Sequence, residues 1–311
     1  MTREISPIII FTYRRDIDKT IKSLLNNNLA SQSDLYIFSD GYKNGTDKFS
    51  VLEVRKYLKT IDGFKSITII ESEKNKGLAV SVIAGVSEII NKHSKAIVVE
   101  DDLIISSDFL EYMNEALNFY NEDKRIWSIS GYSPNLPCLN FFNDDIYFSL
   151  RGSSWGWATW KNRWVSIDWN VSDFEQLKKD KQSIKQFNQG GDDLFKMLEL
   201  QVLKKIDSWA IRWCYAQYKQ NAYSVFPRES KVINNGFLDG IGVHNNGPDE
   251  RWMTVLSDKK VKFCELKLDK RILEYFRKFH NLNISTRIGY WLRKNGGYSF
   301  VKKNYNKLRS F

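Results

Sequence analysis

Ala96-Ile97-Val98-Val99-Glu100-Asp101-Asp102 decides the reading of this 311-residue chain. A short, continuously apolar and β-branched run reads as a strand buried on both faces, the habit of parallel strands in a sheet covered by helices. In such sheets ligands bind in the crevice beyond the carboxyl ends of the strands, which is where the three acids fall. Carboxylates crowded together raise one another's pKa unless a cation neutralises them. Oxygen ligands suit Mn2+ or Mg2+, ions that keep waters and bridge substrate phosphates. The plainer alternative is an acidic turn leading into a helix near Ser106-Ser107-Asp108.

Working outward, the same unit recurs upstream: Pro7 to Thr12, Asp34 to Ser39 and Ile67 to Ile70 are apolar runs, each followed by a polar turn and an amphipathic segment. Helices are expected near 16–27, 48–60, 77–92 and 107–120. The rhythm is βαβ, so the fold class is α/β, a Rossmann-like sheet flanked by helices. Each strand end offers polar groups to one crevice. After the first strand come Tyr13, Arg14 and Arg15. Asp40 after the second suits a nucleobase or ribose, or else an Asx turn with Gly41. Lys74-Asn75-Lys76-Gly77-Leu78 joins cations to a helix N-terminus, where a phosphate is stabilised.

From 121 to 165 the pattern turns irregular and aromatic. Gly152-Ser153-Ser154-Trp155-Gly156 satisfies G-x-S-x-G, with Asp207 and His244 downstream in hydrolase order, so a serine esterase using Ser154 is one alternative. It lacks a His-Gly loop for an oxyanion hole. Trp155-Gly156-Trp157 reads better as an acceptor-binding platform, since aromatic faces pack against the apolar faces of sugars. Residues 192–222 look helical. Within them Asp207 is either the N-cap of the segment that follows or a general base for an acceptor hydroxyl, with Asp192 and Asp193 as rivals. His244, in the Gly- and Asn-rich stretch 223–247, is a metal or phosphate ligand, or a surface imidazole.

At 42% apolar, the chain has enough to bury a full-sized core. Its three cysteines form no CxxC pair, so neither a disulfide framework nor a cysteine zinc site is expected. The formal charge of +10 is concentrated late: Glu265 to Phe311 holds twelve Lys/Arg against three acids. That distribution argues against nucleic acid as a partner. No signal-like segment and no run of roughly 18 apolar residues appears, so a cytoplasmic enzyme is expected. The basic tail, interleaved with aromatics, reads as an interfacial helix pair for an anionic membrane face.

Taken together and in this order, the motifs resemble GT-A-fold glycosyltransferases, especially bacterial family-2-like proteins akin to eukaryotic N-acetylglucosaminyltransferase I, over roughly residues 7–245. The resemblance implies that Asp102, last of the E-D-D variant of D-x-D, holds Mn2+ or Mg2+ under a nucleotide-sugar diphosphate. It sets Asp101 against the donor sugar or ribose, Asp40 against uracil and Arg14 or Arg15 against the nucleotide. Asp207, in Asp207-Ser208-Trp209, inherits the role of catalytic base, and His244 that of a late metal-side histidine. With the strand-end readings, the donor-binding set is Thr12, Tyr13, Arg14, Asp40, Lys74, Gly77, Glu100 and Asp101. The expected layout is a GT-A catalytic domain over 1–250, nucleotide-binding over 1–120 and acceptor-binding over 121–250, then a basic helical appendage over 251–311. The implied activity is metal-dependent, inverting transfer from a UDP-sugar to a glycan or lipid-linked glycan in bacterial surface polysaccharide synthesis. A non-catalytic carbohydrate-binding protein is a second alternative. The eukaryotic relatives carry an N-terminal membrane anchor; none is expected here.

Overall fold

The apolar runs pair side by side as parallel strands, β1 (Ile8–Thr12), β2 (Asp34–Ser39), β3 (Ser66–Glu71) and β4 (Lys95–Glu100), in the order β3-β2-β1-β4. The structure, a computed structural model, describes residues 4–237, 250–282 and 284–295. Helices α1 (Asp18–Leu25), α2 (Gly45–Leu58) and α3 (Leu78–His93) make the crossovers, and α4 (Phe109–Phe119) follows β4 after a short strand, β5 (Leu103–Ile105). Alternation along β1 sorts the core into two layers. Ile8 and Ile10 pack with Ile21, Leu24, Leu110 and Met113, whereas Ile9 and Phe11 meet Val82, Val86 and Ile90 of α3. Each such side chain, fully removed from water, contributes about 1.5–3 kcal/mol.

Beyond β4 the sheet becomes mixed. β6 (Ile126–Ser130), β7 (Ile146–Ser149), β8 (Trp157–Trp160) and β9 (Tyr223–Pro227) extend it as β4-β8-β6-β9-β7, with β8 antiparallel to β4. Residues 121–165 are thus more regular than their sequence suggests. The serines of β6 are buried but partnered: Ser128 Oγ lies 2.7 Å from Ser224 Oγ on β9. A last short strand, β10 (Val232–Asn234), pairs antiparallel with β5 outside the main sheet.

After β8, α5 (Lys161–Trp164), α6 (Phe174–Lys179), α7 (Lys181–Phe187), α8 (Leu194–Val202) and α9 (Trp209–Lys219) build the second half. Trp157 sits at 0% exposure among Trp164, Trp209 and Trp213, with ring centroids 5.7, 5.2 and 4.5 Å away. Its expected place on an acceptor platform is corrected, because a ring enclosed by three indoles has no face left for a sugar.

The C-terminal segment is built into the body. α10 (Lys270–Phe279) buries Ile272 and Phe276 against Leu136, Tyr147 and Phe226 at the β7 edge of the sheet. Lys231, 1% exposed at its side chain, donates to Asp108 (2.6 Å) and to the carbonyls of Ser257 (2.8 Å) and Lys259 (2.7 Å), pinning the incoming chain. α11 (Ile284–Lys294) is held to α8 through Lys294 and Glu199, at 2.7 Å. Of the expected interfacial helix pair, α10 has its apolar side inside the protein and α11 remains, while Phe300, Lys302, Lys303, Tyr305, Lys307 and Arg309 lie outside the described residues.

Candidate active site

The carboxyl ends of β1 and β4 bring Thr12 and the acidic trio together, because Phe11 pairs with Glu100 in register. The trio spans the turn from β4 into β5, and β10 runs alongside. Asn234 pairs with Leu103, and the Asn235 N–H donates to the Asp102 carbonyl at 2.8 Å. α1 fixes the same turn from below through the Thr20 hydroxyl, which donates to the Asp101 carbonyl at 2.9 Å. Arg15 reaches in from the β1–α1 loop, hydrogen-bonded to Asp102 and 3.9 Å from Asp101.

One guanidinium faces three carboxylates, and the electrostatics show the deficit. Burial and then the Asp102 charge push Asp101 up to about 6 despite Arg15, and burial with both neighbours holds Glu100 well above the usual carboxylate range. Among the described residues no three His, Cys, Asp or Glu side chains converge on one cation position. A cation that keeps its waters and shares a substrate diphosphate asks for only one or two carboxylates. Asp102 answers that need: its Oδ1 is buried without a hydrogen-bond partner, as is Oδ1 of nearby Asn234. Gly236 completes the cradle, for a Cβ there would lie 2.5 Å from Asp102 Oδ2 and 3.0 Å from Asn234 Oδ1. The donor set therefore fits a hard divalent ion.

Of the two readings of Asp40, the turn with Gly41 is the one the backbone bonds display. Its Oδ1 accepts from the N–H of Gly41 and of Lys76, and Oδ2 from that of Gly77, all at 2.9 Å. Gly77, at φ +79°, turns the chain into α3 there. The anion at the α3 N-terminus is thus the protein's own carboxylate, which corrects the reading of Lys74 to Gly77 as a phosphate cradle. Lys74 is exposed. Arg55 braces the ends of β2 and β3, bonding the carbonyls of Ser39, Asp40 and Ser72. Tyr13 and Arg14 both turn to Asp47, at 2.6 and 2.7 Å, so Arg15 and not Arg14 is the cation at the trio.

On the other side, Asp207 is 61% exposed at its side chain and only loosely matched to Arg212, 3.8 Å away. The N-cap of α9 is Ser208, whose hydroxyl accepts from the Ile211 N–H, so Asp207 is not the cap. Its Oδ2 lies 3.7 Å from where a Cβ on Gly77 would stand, which puts it over the start of α3. Its rivals are otherwise engaged: Asp193 is bidentate to Arg151 (2.6 and 3.0 Å), and Asp192 pairs with Arg277 at 3.0 Å.

Ser154 lies on the link from the edge strand β7 to β8. That is a strand–loop–strand setting in place of the strand–turn–helix elbow an esterase requires, so the esterase reading is withdrawn. Trp155 is half-buried and edge-on to Tyr132 (4.6 Å) and Trp252 (5.5 Å), while Gly156 is buried beneath Phe109 and Val232. His244 lies outside the described residues. Asn234 and Gly236 escaped the sequence reading because only the β5–β10 pairing carries them to the acids.

Residues 2–171 match the GNT-I family. No curated protein matches the chain at a significant level. Among solved structures the chain is similar to UDP-glucose pyrophosphorylase complexed with UDP-glucose, at 10% identity and TM-score 0.38, over 76% of this chain and 95% of that one. It is also similar to the galactosyltransferase LgtC in complex with donor and acceptor sugar analogues, at 11% identity and TM-score 0.32, over 57% of this chain and 66% of that one. Likenesses this distant say nothing about function. The family match covers more than half of the chain, including β1 to β8 and the acidic trio; the chain belongs to the GNT-I family and is a GT-A glycosyltransferase.

Proposed function

We propose that this enzyme transfers a sugar from a nucleoside diphosphate donor, UDP by preference, to a hydroxyl of a glycan or lipid-linked glycan, with inversion and with the help of Mn2+ or Mg2+. The observation that carries the reading is the buried, unpartnered Oδ1 of Asp102 in a trio whose negative charge Arg15 only partly offsets. Asp102 would hold the ion, with the Asn234 side-chain oxygen beside it. When bound, the ion supplies charge neutralisation to the departing diphosphate. Thr12 and Asp101 line the same strand ends and would orient the donor. Asp207, exposed and not needed as a cap, would take the proton from the acceptor hydroxyl as that oxygen attacks the anomeric carbon and the bond to diphosphate breaks.

The test is release of nucleoside diphosphate from a panel of nucleotide sugars, with and without Mn2+. Mn2+-stimulated release, abolished by chelation and reduced at least 100-fold in Asp102→Asn, supports the reading. Undiminished release in that variant or under chelation overturns it. Asp207→Asn should keep nucleotide binding and lose transfer by about 100- to 10,000-fold.

A cytoplasmic enzyme at the inner membrane face, serving surface polysaccharide synthesis, is the setting we infer. It is favoured by α11, which leaves Ile288 53% and Trp291 64% exposed beside Arg287. Vesicles containing phosphatidylglycerol should sediment the protein and release it when both residues are changed to Ser; equal sedimentation of the double variant removes the membrane role.

A further inference from the structure

A cavity of about 190 Å³ opens between the β7–β8 link, the first turns of α8 and α9, and the C-terminal segment. None of the acidic trio lines it, so it is a place apart from the donor crevice. Trp155, Trp252 and Tyr132 supply aromatic surface, Ser153 and Ser154 hydroxyls, and Arg151 and His280 the ionisable nitrogen groups. Trp252 and His280 stand outside residues 2–171, the stretch that matches the family.

Resting on the glycosyltransferase reading above, we infer that this cavity holds one uncharged pyranose of the acceptor, with Trp155 and Trp252 against its C–H faces and His280 accepting from one hydroxyl. Size allows a single ring, since a cavity of about 190 Å³ has room for one pyranose. Charge argues for a neutral one. The Arg151 guanidinium is matched by the bidentate Asp193 carboxylate. His280 is neutral, because burial and then the Arg151 cation push it down to about 3. Its Nδ1 lies 2.9 Å from the Phe276 carbonyl and must donate there, which leaves Nε2 as a lone-pair acceptor. Hydroxyl donors and acceptors beside aromatic faces are what a sugar ring satisfies, and among the described residues lining the cavity a carboxylate-bearing sugar would find no unmatched cation. Location argues for the acceptor: Ala210 and Ile211, which line the cavity, stand in the first turn of α9, three and four residues after Asp207.

The experiment titrates the whole protein with methyl glycosides of glucose, galactose and N-acetylglucosamine, and with methyl glucuronide, following saturation-transfer NMR. Binding of at least one neutral glycoside is expected, at least tenfold tighter than the glucuronide, and weakened tenfold or more in Trp252→Ala and in His280→Gln. Either variant suffices if circular dichroism finds the other unfolded. Equal binding by a folded variant, or no binding of any neutral glycoside, overturns the inference. Nucleotide release by the wild-type protein, measured in parallel, separates the two claims. Release without glycoside binding defeats the cavity alone. Glycoside binding without release from any donor defeats the transferase reading and with it the acceptor role.

Discussion

Asp40 illustrates how a single carboxylate shapes the strand ends through the backbone. Its three backbone donors come from its own turn and from the loop entering α3, so replacing it strands the buried Gly41 N–H, at roughly 1–3 kcal/mol, and two half-buried ones at less. Asp40→Ala should lower the urea midpoint clearly, and Asp40→Asn less so; an unchanged midpoint in the alanine variant would contradict the brace. The Asx turn with Gly41 is legible from adjacent residues, but the bonds to Lys76 and Gly77 span more than thirty positions, and no local pattern announces them. His280 makes a second prediction at this scale. Its pKa falls from 6.5 to about 3 on folding, so between those values the unfolded chain binds the extra proton. Stability from this group is complete above pH 6.5 and declines as pH drops toward 3. His280→Gln should flatten the fall in melting temperature between pH 7.5 and 5; a parallel fall would remove the group from the account.

The β5–β10 ribbon acts at the scale of elements. It carries Gly236 to within one methyl group of Asp102, Arg15 and Asn234, so a larger residue there must push those side-chain ends aside. Gly236→Ala should therefore reduce Mn2+-stimulated nucleotide release at least tenfold while moving the melting temperature by only a few degrees, and full release would show that the cradle tolerates displacement. The parallel strands were readable because two-sided burial demands unbroken apolar residues, as in β1 and β4. The strands β6, β9 and β10 were not, because serines in β6 and β9 hydrogen-bond across the sheet and β10 is three residues long. The acids of the trio announced a site for the same electrostatic reason that they need one. The partner oxygen of Asn234 required the pairing.

Across the whole molecule, the clamp at Lys231 joins halves that sequence alone suggests are separate. Removing its charge leaves Asp108 without its cation in a mostly buried setting, a loss of about 3–5 kcal/mol. Lys231→Met should show that loss in denaturant unfolding; a loss below 1 kcal/mol would mean the segment is held elsewhere. The basic composition after Glu265 read as an appendage because charge reports on exposed surface and is blind to the two residues, Ile272 and Phe276, that anchor α10.

That anchoring bears on how the protein is made. Tyr147 and Phe226 wait for Phe276, and the Tyr120 hydroxyl for the Cys264 carbonyl, so a nascent chain paused after β9 emerges from the ribosome with an open sheet edge and greasy rings bare. Translation must therefore pass α10 before those rings are covered, so the far side of the sheet closes later than the parallel strands.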